Sequence, residues 1–240
     1  MSLVVTVYTR EGIVMAADSR LTLTYPRNDP GQQPHTISVT TSDSAKKLFL
    51  TPNHIGISTF GTAAIKGAPI AGVIESFIVE QTKDKNLPPK ETADALLAYL
   101  TAMGVSQSTS FHVAGYRPDG TTFKQEVFFL DLAAKTVKQI SVTGQQGANW
   151  GGEFDVLQRL LNDVLLTGAP GAAPTPIPFF GVPFEWFTLQ DAIDFANFAI
   201  RATIDTLRFQ AREKTVGGPV DILVITPDNS HWIAQKQLTA

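Results

Sequence analysis

Residues 1–20 read MSLVVTVYTREGIVMAADSR, and this stretch carries the reading of the whole chain. Residues 3–8 and 13–17 are short apolar runs rich in β-branched side chains. Between them lies Thr9-Arg10-Glu11-Gly12, a composition that turns a hairpin. The second strand runs straight into Asp18-Ser19-Arg20. An acid and a base at that place are either a surface pair or the frame of a site, and the elements downstream decide between the two.

Further along, residues 46–51 and 54–61 read as two more short strands, the second ending at Gly61. Helical spacing of apolar residues predicts helices over 62–82, 89–103, 152–165 and 188–211. The last of these starts at Thr188, with Asp191 at the capping-box spacing. A block of strands occupies 110–117, 122–132 and 137–144, and a final pair falls at 220–226 and 231–235. Strands thus come in blocks between helices, an order that predicts an α+β fold with antiparallel sheets and helices outside. The chain is read as one domain over 1–240 with insertions at 22–44, polar and rich in Pro, Thr and Ser, and at 166–187, loaded with Gly, Pro and aromatics.

Composition narrows the function. Of the 240 residues, 43% are hydrophobic and 17% charged, enough apolar material for a sizeable core. The net charge is −3 and the 19 Lys and Arg form no run longer than Lys46-Lys47, which argues against nucleic acid as a partner. No apolar run reaches the length of a membrane span, and the first residues lack the pattern of a signal peptide, so a cytoplasmic location is expected. The absence of Cys removes a thiol nucleophile and thiolate metal sites. His35, His54, His112 and His231 have no metal-ligand spacing, and neither a metal nor a cofactor is expected. GISTFGTA (residues 56–63) has the glycine spacing of a phosphate loop but puts Thr62 and Ala63 where Lys and a hydroxyl residue are required.

Three stretches remain: Asp18-Ser19-Arg20, Ala45-Lys46-Lys47-Leu48-Phe49 and Ser58-Thr59-Phe60-Gly61. In order and spacing they resemble the proteasome β-subunit family, a branch of the N-terminal nucleophile (Ntn) hydrolases. GIVMAADSR (residues 12–20) fits the family's strand, in which Gly leads through an aliphatic residue to Ala, an acid and Arg. Lys47-Leu48-Phe49, Gly61 and the C-terminal GGPVDILVIT (residues 217–226) resemble its later motifs. The resemblance implies a four-layer αββα sandwich of two antiparallel sheets flanked by helices. It also implies a homo-oligomeric ring acting on peptides or unfolded protein, with an ATPase or cap as possible partner.

The family's nucleophile falls on Ser2, freed by removal of Met1, with no longer propeptide to cleave. A Ser hydroxyl needs a base, and a free α-amine has an ordinary pKa of about 7.7–8.0, close to operating pH. By the resemblance Lys47 sits beside Ser2, Asp18 holds Lys47, Arg20 supports the loop, and the Gly61 N–H donates to the oxyanion. Leu21, Ala45, Thr59 and Ala63 are expected to line an apolar specificity pocket. Active relatives also carry a Ser-Gly element after the central strands and a D-x-x-S-G-G stretch near the end. Here Gln145 and Glu213 are the expected stand-ins, and Val216 replaces the second hydroxyl. Two other readings stand beside this one: a non-proteolytic amidohydrolase of the superfamily, and a catalytically silent assembly subunit.

Overall fold

The computed structural model describes residues 2–27, 35–65, 67–83, 85–105 and 108–237. Met1, on whose removal the proposed nucleophile depends, and the tip of the first insertion, 28–34, lie outside the described residues.

Strands β1 (Leu3–Tyr8) and β2 (Ile13–Ala17) form the expected hairpin, in register Val4 opposite Ala17 and Tyr8 opposite Ile13. The Thr9 hydroxyl closes the turn by accepting from the Gly12 N–H at 3.3 Å. β3 (Leu21–Arg27) and β4 (His35–Ser42) make a separate two-stranded ribbon from the first insertion. β5 (Leu48–Leu50) and β6 (Gly56–Gly61) follow, then a two-residue ladder of β7 (Ala64–Ile65) and β8 (Ala68–Pro69). After helices α1 (Ile70–Phe77) and α2 (Pro89–Ala102) come β9 (Thr109–Asp119), β10 (Thr122–Asp131), β11 (Thr136–Gln139) and β12 (Gly147–Gly152). Helix α3 (Asp155–Leu161), the small ladder β13 (Leu165–Leu166) and β14 (Thr175–Pro176), helix α4 (Leu189–Phe209), β15 (Asp221–Ile225) and β16 (Ser230–Ala234) complete the chain.

Two five-stranded antiparallel sheets result, ordered β12-β1-β2-β15-β16 and β11-β10-β9-β6-β5. Strand alternation assigns the layers. Leu3, Val5 and Val7 face Leu157 of α3 and Ala192, Ala196 and Ile200 of α4. Val4 and Tyr8 face the other way, onto Leu48, Ala114 and Val127 of the second sheet. The far side of that sheet buries Phe49, Ile57, Phe111 and Val113 against Ile74, Phe77, Leu96 and Leu100 of α1 and α2. Three apolar layers between four layers of elements make the αββα sandwich, the fold class expected from the sequence. All six residues of β1 are buried because both of its faces are covered. No described helix is long and apolar enough to cross a membrane.

Two helices differ from expectation, and the strand expected over 137–144 is only β11. The helix foreseen from residue 62 starts at Ile70, because Gly67-Ala68-Pro69 first makes the small ladder and Pro69 then takes the N-cap place. The helix foreseen over 152–165 is only α3, because Gly151 and Gly152 belong to β12, a strand not foreseen at all. In α4 the Thr188–Asp191 capping box forms as the spacing predicts.

His112 belongs to this inter-sheet layer. Its Nδ1 lies 3.0 Å from the Thr6 hydroxyl, across the sandwich, and the Phe60 and Phe129 rings flank it. Burial without an acid partner pushes its pKa down to about 4. Unfolded, the same imidazole titrates near its ordinary 6.5. Between those values the unfolded chain binds the proton and the folded one does not, so stability rises with pH from about 4 to 6.5 and is flat above. The full effect is on the order of 3 kcal/mol. Urea titrations at pH 4.5 and 7.5 check it, since His112→Gln is expected to remove this part of the slope.

Candidate active site

The β1–β2 register places Asp18 directly opposite Leu3, and the Asp18 N–H donates to the Leu3 carbonyl at 3.2 Å. The spacing of Ser2 and Asp18 in sequence is therefore the spacing of a hairpin ladder. A slip of one residue would turn Asp18 to the other face. Asp18 is fully buried. Its Oδ1 accepts from the Leu3 N–H at 2.9 Å and from Lys47 Nζ at 2.7 Å. Its Oδ2 accepts from the Arg20 N–H at 3.1 Å and the Gly217 N–H at 3.0 Å.

Lys47 comes from the second sheet, just ahead of β5, where its carbonyl accepts from the Thr59 N–H at 2.9 Å. The Lys47–Asp18 ion pair thus bridges the two sheets one residue away from Ser2. Burial pushes the Lys47 pKa below its ordinary value, and the charge and hydrogen bond of Asp18 oppose that shift. The Lys236 ammonium, itself paired with buried Asp221, adds to the lowering.

Arg20 stands outside this pair. Its guanidinium clasps Asp43 with two bonds of 2.7 and 2.8 Å and donates to the Lys214 carbonyl at 3.2 Å. It braces the loop that delivers the Gly217 N–H to Asp18, through a partner, Asp43, that the sequence did not reveal.

Gly61 closes β6 at φ +100°, with the Ser108 carbonyl 2.4 Å from where a Cβ would stand. The Thr59 N–H points to β5, while the Thr62 N–H donates to Ser108 on the β9 side. Two-residue alternation turns the Gly61 N–H to the β5 side, beyond the point where β5 ends. A cleft of about 130 Å³ opens there, and Ser2, Lys47 and Gly61 all line it. Leu21, Ala45, Thr59 and Ala63 share the same lining, which is mostly apolar.

The two supporting residues expected from the sequence are elsewhere. Gln145 lies just before the start of β12, beside the Tyr8 end of β1, six strand positions or roughly 20 Å from Ser2. Glu213 is exposed and has no hydrogen bond or ion pair with another described residue. The groups that connect to Ser2 from this side of the site are Glu153 and, through it, Thr215. The Glu153 N–H donates to the Ser2 carbonyl at 2.8 Å, and its carboxylate accepts from the Thr215 hydroxyl at 2.6 Å and from Arg212 at 3.1 Å. Val216 is a core residue packed under β15 and α4. A hydroxyl, that of Thr215, stands one position before Val216, and the acid it pairs with comes directly after Gly151-Gly152. Thr215→Val is expected to cost about 1–2 kcal/mol in urea unfolding, because Glu153 Oε2 then loses its donor in a half-buried setting.

Among the described residues no group of three His, Asp or Glu is placed to hold a metal ion. The structure thus brings together the Ser2 strand terminus, a buried Lys–Asp pair and the Gly61 backbone around one mostly apolar cleft.

No family model matches the chain, and no curated protein matches it in sequence. Solved structures do share its fold. They include Anbu from Hyphomicrobium sp. strain MC1, at 16% identity and TM-score 0.57, over 98% of this chain and 88% of that one. An Anbu (Gly-1) mutant from the same strain matches at 17% identity and TM-score 0.60, over 100% and 88%. The assignment to the proteasome β-subunit family drawn from the motifs is therefore corrected: no family model supports it, and these structural neighbours are Anbu. What the likeness establishes is the fold, an α+β sandwich of the Ntn-hydrolase type.

Proposed function

We propose that the chain is an Ntn-type amide hydrolase whose nucleophile is Ser2 after loss of Met1. The observation that carries this reading is the Asp18 carboxylate, which binds Lys47 Nζ and the Leu3 N–H on the same oxygen. A buried charge pair fastened to Leu3, the first residue of β1, has a large desolvation cost and little value for stability alone. It is well placed to fix a cation beside a terminal nucleophile.

In this reading the Ser2 Oγ attacks the substrate carbonyl carbon while its proton passes to the Ser2 α-amine. The Lys47 ammonium favours the neutral form of that amine and the developing alkoxide. The Gly61 N–H donates to the oxyanion. Collapse breaks the C–N bond, the amine leaves with the proton held by the α-ammonium, and water then cleaves the Ser2 ester by the same route. The Glu153 N–H holds the Ser2 carbonyl and Thr215 holds the Glu153 carboxylate, so both act on the nucleophile's position. The mostly apolar cleft with Ala45 and Ala63 favours small apolar acyl-side groups. Assembly into a homo-oligomer belongs to the same proposal. The exposed Phe180, Trp186 and Phe209 support it, and light scattering at micromolar concentration tests it.

Turnover of short acyl-amide and peptide substrates tests the reading. Ser2→Ala is expected to lower kcat by at least about 10³-fold with the melting temperature unchanged. Retention of wild-type turnover in that variant would refute the assignment.

A further inference from the structure

A second cleft adjoins the first. It has a volume of about 400 Å³ and is lined by Phe60, Phe129, Trp150 and Phe154 together with Gly61 and Gly152. Phe60 and Gly61 line both clefts, so the two open on either side of the same β6 terminus. Gly152 ties the second one to the nucleophile, because its α-carbon packs against the Ser2 carbonyl. Phe60 and Phe129, with centroids 6.2 Å apart, form part of its wall, while half-exposed Phe154 stands at the start of α3. Phe60 and Phe129 also pack on His112, and Trp150 packs toward α3 and α4, so Phe154 is the one of these four rings left half-exposed at a cavity continuous with the first cleft.

The strand beside this cleft is also unpaired on one side. β12 is the terminal strand of its sheet. The Glu153 N–H donates to the Ser2 carbonyl, and β1 uses the main-chain groups of Leu3 toward β2. Alternation therefore points residues 147, 149 and 151 toward β1, and Ala148 and Trp150 outward. Among the described residues, nothing hydrogen-bonds to the outward N–H or C=O of Ala148 or Trp150. An open strand edge beside aromatic walls matches what an extended chain needs: main-chain partners on one side and a side-chain pocket on the other.

We propose that the β12 edge and its aromatic cleft bind the leaving-group side of an extended peptide, as an added strand with an aromatic side chain seated among Phe60, Phe129 and Phe154. The inference rests on the reading of Ser2 as nucleophile and adds to it the substrate class. A carbonyl held at the Gly61 N–H has one substituent in the small apolar cleft and the other in the aromatic one. The enzyme then acts on peptides, because a small primary amide has nothing to place along β12.

The test uses the full chain lacking Met1 and quenched-fluorescent peptides identical on the acyl side, with Phe, Gly or Lys as the first leaving-side residue. The expected result is a kcat/KM for Phe about tenfold or more above Gly, with Lys lowest. Phe154→Ala is expected to shrink the Phe-to-Gly ratio toward one, with its melting temperature confirming that it folds. N-methylation of successive leaving-side amides is expected to lower kcat/KM at alternate positions only, as strand pairing requires. In parallel, an epoxyketone that carries no leaving-side residue measures Ser2 reactivity by itself. Adduct formation at Ser2 combined with equal kcat/KM across the peptides overturns the leaving-side site alone. Aromatic preference confined to the acyl side also overturns it. Absence of the adduct overturns the Ser2 reading, and the inference with it.

Discussion

Asp18→Ala is expected to be the most damaging single substitution in the chain, with a loss of about 3–5 kcal/mol in unfolding free energy. The ion pair itself contributes little net stability, because burying two charges costs nearly as much as their attraction returns. Removing one partner is different. Lys47 would remain in a site where burial already lowers its pKa, now without the carboxylate that opposes the shift. The N–H groups of Leu3, Arg20 and Gly217 would lose their acceptor in the same step. Asp18→Asn keeps the volume and one acceptor oxygen, so its stability loss is expected to be smaller. Its kcat is still expected to fall by roughly 10²-fold or more, since the cation beside Ser2 is no longer held by charge. Urea midpoints and turnover measured on both variants check the pair of effects. Wild-type stability in Asp18→Ala would mean that Lys47 reaches water and that the inter-sheet bridge is not the frame of the site.

Gly152→Ala is the second large effect, and it acts through geometry alone. Gly152 sits at φ +101°, and a Cβ there would stand 1.8 Å from the Ser2 carbonyl oxygen. That contact is with backbone, so no rotamer change relieves it; either β12 or the start of β1 must move. The Glu153 N–H bond to Ser2 is the first to be lost. Because a displacement of about 1 Å at a catalytic group can cost 10²-fold, kcat is expected to fall by at least that much. Gly144→Ala supplies the comparison. It also has positive φ, at +77°, but nothing lies within 4 Å of its Cβ position. Its cost is backbone strain of about 1–2 kcal/mol with turnover unchanged. A Gly152→Ala protein as active as the Gly144→Ala one would mean that the position of Ser2 is not set by this contact.

The hairpin that opens the chain was legible because its information is local. Apolar runs, a turn and an acid at a fixed distance define a register, and the register puts Asp18 opposite Leu3. Helix α4 was legible for the same reason, through its cap and its apolar stripe. β12 was not. Gly147, Gly151 and Gly152 carry no side chains to show a period, and the strand exists because β1 offers it an edge. Missing β12 displaced the search for supporting groups to Gln145, at the wrong end of β1, when the acid beside Ser2 is Glu153. The same counting puts the C-terminal carboxylate on exposed Glu213 and finds Val216, a core residue, where a hydroxyl was wanted, and it passes over Thr215 next to it. The family assignment failed at a different level. The motifs behind it encode a hairpin register, a strand that closes on a positive-φ glycine and a Gly-Gly loop, all of them properties of the sandwich. They report the fold, which Anbu shares, and fall short of naming a family.

The claim on which the rest depends is that Ser2 is a terminal nucleophile held beside Lys47. Intact-mass spectrometry tests it most directly, after the purified protein is incubated with an epoxyketone or a β-lactone. The predicted result is a protein lacking Met1 that gains one adduct, localised to Ser2, which Ser2→Ala fails to form and Asp18→Asn forms slowly. An adduct that persists in Ser2→Ala, or a Met1-free protein that forms none, would contradict it.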